Sequence, residues 1–458
     1  MVRSAAGDAA DADMIKRIAE RTDGVPLFIE ELTRSIYQAE ENAAVACEEI
    51  PETLQGLLLA SLDRLDPKVR ELAQVGSVIG REFTRDLLSE TLGRSEGLDS
   101  ALERLMASRL VNQSGSAQSR RYVFRHALIQ EAAYSSLLTR RRHEYHEAIA
   151  KALERDLGDG ADTPPELVAQ HYTAAAKVEA AIPWWLQAGK RALERSANVE
   201  AVEHLQQGVR LAEGLPNGQD KLRLQLEIHL DLGSAEVKAG ELQDALGAYN
   251  QAARLARLAA SGIDLARAAI GFEEGEFYLG RAEAASIVLL EEAMTMLDGS
   301  ETVERCRVLG GLGRAYTTVG AIERAREVTG DAVEMARRLG DKRALYESLI
   351  YVYYTTGAGQ TDNAWRALIE LNALAKEIGD WDLIMRAESW RGFHHLQAGD
   401  RDRYAESLQI YRTNAEFNRR STSGSRRVRM QWTPSWTAIL RPRNAMPKRR
   451  FAWDRKCI

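Results

Sequence analysis

The sequence predicts an all-α protein with one small β-hairpin: a winged-helix segment followed by a tetratricopeptide-like (TPR-like) α-solenoid. Three observations carry this prediction. Apolar residues recur at helical spacing along most of the chain. The stretch Phe124–Tyr134 passes from strand-favouring residues (Tyr122, Val123, Phe124) into a helical pattern of Leu128, Ile129, Ala132, Ala133 and Leu137. From Pro165 onward, small residues and turn glycines return about every forty residues.

Residues 1–13, dominated by Ala, Asp and Gly, are too small and polar to pack and are expected to be disordered. A helical segment is expected over 14–50. Ile15, Ile18 and Ala19 give it an apolar edge, Gly24 and Pro26 interrupt it, and a second helix runs from about Leu27 to Ala39. Pro26 suits a helix start, because its fixed φ fits the first turn and its missing N–H is not needed there.

The winged-helix segment is placed at 51–157. Thr53 can cap a helix reaching about Leu65, and Asp66-Pro67 starts another that buries Val69, Leu72, Ala73, Val75 and Val78. The stretch Phe83–Leu92 is read as the next helix. Leu98, Ala101, Leu102 and Leu105 mark the third, and Val111–Gln113 with Arg121–Arg125 form the hairpin. Winged helices often place such a third helix in a DNA groove. Here that helix carries Glu103 beside Arg104, with Asp99 before it, and offers little positive charge to phosphates.

After the wing, His143-Glu144-Tyr145-His146 has histidines three apart, where a zinc-protease helix needs four. A charged surface face is therefore expected. Arg140, Arg141 and Arg142 are expected to be solvated or to dock on an acidic neighbour.

The repeats are placed at 165–417, as about six helix pairs. Trp185 to Gly189, Leu232-Gly233 and Leu312-Gly313 with Tyr316 occupy tetratricopeptide positions, where small residues let helices cross closely. Turn glycines follow at Gly240, Gly280, Gly320, Gly359 and Gly399. The copies centred on Glu273 and Val352 lack the small residue and are read as degenerate. No catalytic arrangement occurs in the repeats. Tyr316, Tyr351 and Tyr354 are the candidate groove residues, and Tyr353, Trp381, Trp390 and Phe393 are further aromatics that fit either a groove or a core. His394 and His395 are expected on different sides of one helix, a poor metal pair.

Two motifs add a family. Phe124, His126, Ala127 and Leu128 continue into Gln130, Glu131, Ala132, Ala133 and Tyr134; about a hundred residues earlier stand Gly24, Val25, Pro26, Leu27 and Phe28 with Glu30, Glu31 and Leu32. In this order they resemble STAND-class signal-transduction NTPases, in particular the arm fused to bacterial class III adenylate and guanylate cyclases and to large transcriptional activators. The resemblance covers 14–157, and the repeats extend it to about 417. It implies that His126 reaches the β-phosphate of a bound adenine nucleotide and holds the closed state, with Gly24 and Pro26 beside the base. On the residues alone, Gly24 to Pro26 is equally a plain turn and helix start. In the intact family the cofactors are ATP or ADP with Mg; for this chain none is expected. The phosphate-cradling pattern G-x-x-x-x-G-K-[ST] is absent from the sequence, as is an apolar strand ending in paired acids. No catalysis is therefore expected of the chain, which reads as an N-terminally truncated piece of a longer protein. The implied role is regulatory: repeats sense an inducer or protein partner, and release permits self-association or cyclase output. The alternatives are a stand-alone repeat scaffold, or part of a transcriptional activator, which would need a helix-turn-helix that is not readable here.

Composition bounds the rest. The chain has 458 residues, 45% of them hydrophobic, and a net charge of -6. Residues 418–458 carry ten Arg, two Lys and a single acid, with three Trp and three Pro and no amphipathic period. The body is thus acidic and the tail basic. The tail reads as a frameshifted sequence or as a segment for nucleic acid or anionic lipid; the body is expected to bind neither. Cys47, Cys306 and Cys457 are too few and too scattered for disulfides or zinc. With no apolar leader or long apolar run, a cytoplasmic location is expected.

Overall fold

The computed structural model describes residues 22, 25–38, 53–115, 120–158, 163–281, 284–356 and 361–421. Gly24, Cys47, Gly359, Cys457, the expected disordered start and the tail beyond Ser421 lie outside them. Among the described residues there are twenty helices and three short strands, in two compact units.

The first unit comprises the chain to Arg191 with 200–236 and 254–259. Its elements are α1 (Pro26–Gln38), α2 (Leu54–Asp63), α3 (Pro67–Ile79), β1 (Glu82–Thr84), α4 (Arg85–Leu92), α5 (Leu98–Ala107), β2 (Val111–Ser114), β3 (Arg121–Phe124), α6 (Ala127–Ser135), α7 (Thr139–Gly158), α8 (Pro165–Ala174), α9 (Val178–Glu194), α10 (Asn198–Glu213) and α11 (Gln219–Ala239). Side-chain caps set several of these starts. Thr53 accepts from the Gly56 amide and Asp66 from the Lys68 amide, with Pro67 opening α3.

One expectation needs correction. Phe83 begins no helix: it is the middle residue of β1, and Thr84 then caps α4 by accepting from the Leu87 amide. The sheet therefore has three antiparallel strands in the order β1-β3-β2, with Phe83 opposite Tyr122 and Val111 opposite Phe124. A three-residue strand is too short to show alternation in sequence. Tertiary packing holds it. The Phe83 ring stacks on Tyr122 at 5.8 Å and meets Phe124 at 5.5 Å. It lies over Gly76 of α3, where a methyl group would sit 2.7 Å from the ring. These aromatics close a core with Leu72, Leu88, Leu102, Leu105 and Ile129. On α5, Arg104 faces Asp66 at 3.6 Å, and Asp99 binds Arg85.

The second unit comprises 192–199, 237–253 and the chain from Ala260. Its helices are α12 (Leu242–Leu258), which it shares with the first unit, α13 (Gly262–Tyr278), α14 (Ala284–Met296), α15 (Val303–Thr318), α16 (Ile322–Leu339), α17 (Lys342–Thr355), α18 (Thr361–Ile378), α19 (Trp381–Gln397) and α20 (Arg401–Ser421). First helices of the pairs start at Val178, Gln219, Gly262, Val303, Lys342 and Trp381, close to the forty-residue period. Gly240, Gly280, Gly320 and Gly399 all have positive φ, which explains why glycine recurs at the turn inside four of the pairs.

The copy at Glu273 is not degenerate in its packing. Gly271 receives the Tyr249 ring and Gly275 receives Leu246, at 2.9 Å from a methyl built there, so the close crossing has moved to either side of Glu273. In α15 three glycines serve three neighbours: Gly310 faces Tyr351, Gly311 faces Leu290 and Gly313 faces Thr329. Cys306 is a core thiol on the Ala332 carbonyl, raised in pKa by burial. No helix among the described residues is long and apolar enough to cross a membrane.

Candidate functional site

The junction between β3 and α6 places the sequence motif. Phe124 is buried in the winged-helix core, while His126 stands exposed as the N-cap of α6. Its Nδ1 accepts from the Leu128 amide at 3.3 Å. An accepting Nδ1 leaves the proton of a neutral ring on Nε2. That second nitrogen is then a donor beyond the cap. The neighbouring Arg125 reaches back to Glu30 of α1 at 2.8 Å, and α1 is anchored by buried Phe28, Leu32 and Thr33. Pro26 is exposed as the first residue of α1. The two segments are thus joined through Arg125 and Glu30; sequence reasoning named Glu30 within the first motif but not its pairing with Arg125, for which two opposite charges at the two motifs were the available signal.

Downstream, the expected charged face of α7 holds only in part. His143 and Glu144 are exposed, with Glu144 paired to Arg140 and Arg141 at 3.0 and 3.2 Å. These arginines are satisfied on their own helix, and Arg142 binds the carbonyls of Ser135 and Leu137. His146, by contrast, is buried. Its Nε2 lies 3.0 Å from the Tyr134 hydroxyl and its Nδ1 2.9 Å from Nδ1 of His171 on α8. The face boundary falls between the two histidines, a rotation that the charged neighbours hid in the sequence. Burial, then the positive neighbours His143 and Arg142, depresses His146 to about 4; burial and His146 do the same to His171, also about 4. Two neutral rings can share one proton in order: Tyr134 donates to His146, and His146 donates to His171. Among the described residues no cluster of three or more His, Cys, Asp or Glu could hold a metal ion.

In the second unit the first helices build a line of aromatic rings around one buried ion pair. Glu273 of α13 and Arg314 of α15 are both buried, with Arg314 Nε 2.8 and 3.0 Å from the two carboxylate oxygens. Burial opposes the charge on Arg314, but Glu273 outweighs it and holds the guanidinium well above its ordinary value. Arg314 also sits over Phe277 at 4.7 Å and over Tyr351 at 5.3 Å. Phe277 meets Tyr354 edge-on at 5.4 Å, Tyr354 meets Trp390 at 5.0 Å, and Trp390 meets Tyr353 and Phe393. These rings are half-buried. The arrangement offers apolar ring faces beside a buried ion pair.

The aromatic candidates separate. Tyr351 and Tyr354 belong to this line, with Tyr353. Tyr316 lies buried on the other side, donating to Glu291 at 2.6 Å under Arg324, and burial with that hydrogen bond pushes its phenol up to about 12. For Trp381 only the backbone, at the start of α19, falls within the description. His394 and His395 do not part company as expected: both rings rest on Trp365, at 5.1 and 5.0 Å. Sequence reasoning marked Glu273 only as the centre of a degenerate copy and missed Phe277 and Arg314. A charge standing where other copies carry glycine, with an opposite charge one repeat later, was the signal that pointed to them.

No family model matches the chain. Over 207 residues it is 30% identical to an uncharacterized protein of Rhizobium meliloti (strain 1021), an alignment covering 43% of this chain and 20% of the relative. The chain thus spans about a fifth of that protein's length. Similar solved structures include a Signal Transduction ATPase with Numerous Domains (STAND) protein with a tetratricopeptide repeat sensor from Pyrococcus horikoshii (12% identity, 90% of this chain and 70% of that one, TM-score 0.37). Another is the apo form of RapI (10% identity, 62% and 99%, TM-score 0.45). A third is a Rap protein complexed with competence and sporulation factor (13% identity, 90% and 99%, TM-score 0.41).

Proposed function

We propose that this chain is the regulatory, sensing portion of a STAND-type signalling ATPase, one whose intact form carries a nucleotide-cyclase output. Its repeats hold an extended segment of a protein partner along the line from Phe277 to Phe393. The observation that carries this reading is the line itself: rings from α13, α17 and α19 touch in sequence, half-buried, against a fixed Glu273–Arg314 pair. Aromatic side chains that keep part of their surface open on a preorganised base are the residues that dominate protein recognition. The motif at His126 supports the nucleotide part, since its Nε2 is left to donate to an anion while Nδ1 caps α6.

The test is capture with the tagged chain, identification of the partner, and mapping of the bound segment. Tyr354→Ala and Trp390→Ala are expected to release the same partner that the unmodified chain and Tyr316→Phe retain; retention by the first two would overturn the groove. For the nucleotide part, ADP is expected to raise the melting temperature of the native protein purified from cells, and His126→Ala to remove that rise. A scaffold indifferent to nucleotide would show no rise in either.

A further inference from the structure

Helices α18, α19 and α20 line a second feature, an open cavity of about 670 Å³ lined by none of the rings of the aromatic line. Its volume falls within the range that small-molecule sites occupy. Trp365 and the exposed Ile369 form an apolar shelf on one side. Stacking on His394 and contact with His395 fix the indole in place. From three different helices, Lys376, Arg391 and Arg403 bring positive charge to the same space; Glu406 adds a carboxylate, and Arg403 is also paired with Asp400 at 3.5 Å.

The floor is polar and incomplete. Buried Glu388 receives the Asn372 amide at 2.9 Å and faces Arg391 Nη1 at 3.4 Å. Among the described residues the buried Arg391 Nε–H meets no acceptor, and the buried second oxygen of Glu388, Oε2, meets no donor. A buried charged donor without an acceptor is a cost that folded proteins seldom leave standing. Lys376 makes no ion pair among the described residues, so a second donor stands open at the rim. An acceptor that satisfied Arg391 Nε from the cavity would therefore sit between two cations, with an apolar shelf beside it.

We propose that this cavity binds a free carboxylate borne next to an apolar side chain, the chemistry shared by an apolar amino acid and by the C-terminal residue of a peptide. The carboxylate accepts from Arg391 Nε and lies within the field of Lys376 and Arg403. The apolar group rests on Trp365 and Ile369, and Glu406 accepts from the ligand's N–H. The site is separate from the Tyr354 and Trp390 line and stands or falls independently of it.

Isothermal titration of the full chain with phenylalanine, with Gly-Gly-Phe and with Gly-Gly-Phe-amide tests the assignment. At least one free carboxylate should bind, and the amide should bind about tenfold more weakly or not at all, the loss of roughly one charge-assisted hydrogen bond. Affinity should fall with salt and fall several-fold in Lys376→Gln and Arg403→Gln, whose exposed side chains leave folding intact. Arg391→Lys, which keeps the charge and removes Nε, should lose about as much as the amide. Binding of phenylalanine alone marks a metabolite site, and binding of the tripeptide alone marks a chain terminus; both support the assignment. No binding by either carboxylate, equal binding of the amide, or unchanged affinity in the two exposed variants would overturn it.

Discussion

Glu273 and Arg314, forty-one residues apart, meet as a buried ion pair between the first helices of adjacent repeats, the guanidinium spanning both carboxylate oxygens. Removing either charge leaves the other buried. Glu273→Leu or Arg314→Met is expected to cost about 3–5 kcal/mol, whereas the double variant Glu273→Leu with Arg314→Met should recover most of the loss. Urea unfolding of the four proteins measures this directly, and additive single effects would show that the pair is not coupled.

Gly310 and Gly330 are both helical glycines, yet they should respond oppositely to a methyl group. At Gly310 the Tyr351 ring occupies the space, so Gly310→Ala is expected to destabilise by about 1–3 kcal/mol. At Gly330 nothing lies within 4 Å, and Gly330→Ala should stabilise by up to ~1 kcal/mol through helix propensity alone. Thermal melts of the two variants should shift in opposite directions.

Some turns lack the glycine that their geometry favours. Ser196 and Ala260 have φ of 57° and 50°, the left-handed region in which Gly240 and Gly340 serve elsewhere. Ser196→Gly and Ala260→Gly are each expected to gain about 0.5–1 kcal/mol, the relief of side-chain crowding exceeding the added entropy of the unfolded chain. A lower melting temperature in both would contradict the assigned backbone.

The paired rings of His146 and His171 set a pH dependence. Both sit at about 4 when folded, below the ordinary imidazole value, so the unfolded chain binds more protons as pH falls. Their contribution is complete above about pH 6.5 and is lost towards pH 4, on the order of 3 kcal/mol for each ring. Comparing urea midpoints at pH 7 and 4.5 for the unmodified protein and for His146→Gln with His171→Gln isolates it. The double variant should lose distinctly less stability on acidification.

The sequence by itself determined the element types, most helix starts and the repeat period. These depend on local chemistry: Asp66-Pro67 caps and opens α3 wherever it occurs, and a glycine that recurs every forty residues marks a left-handed turn whatever surrounds it. It also named Tyr351 and Tyr354 as candidates, though not what they touch. The tertiary structure alone decided that Phe83 is a strand residue, because a three-residue strand exists only by pairing with β3 and covering Gly76. It alone turned His146 inward, separated Tyr316 from Tyr351, and joined Glu273 to Arg314 across a repeat. Each of these depends on which face a neighbouring helix covers. Periodicity along one helix reveals that a face is buried, but the partner that buries it is chosen by packing between segments far apart in the chain.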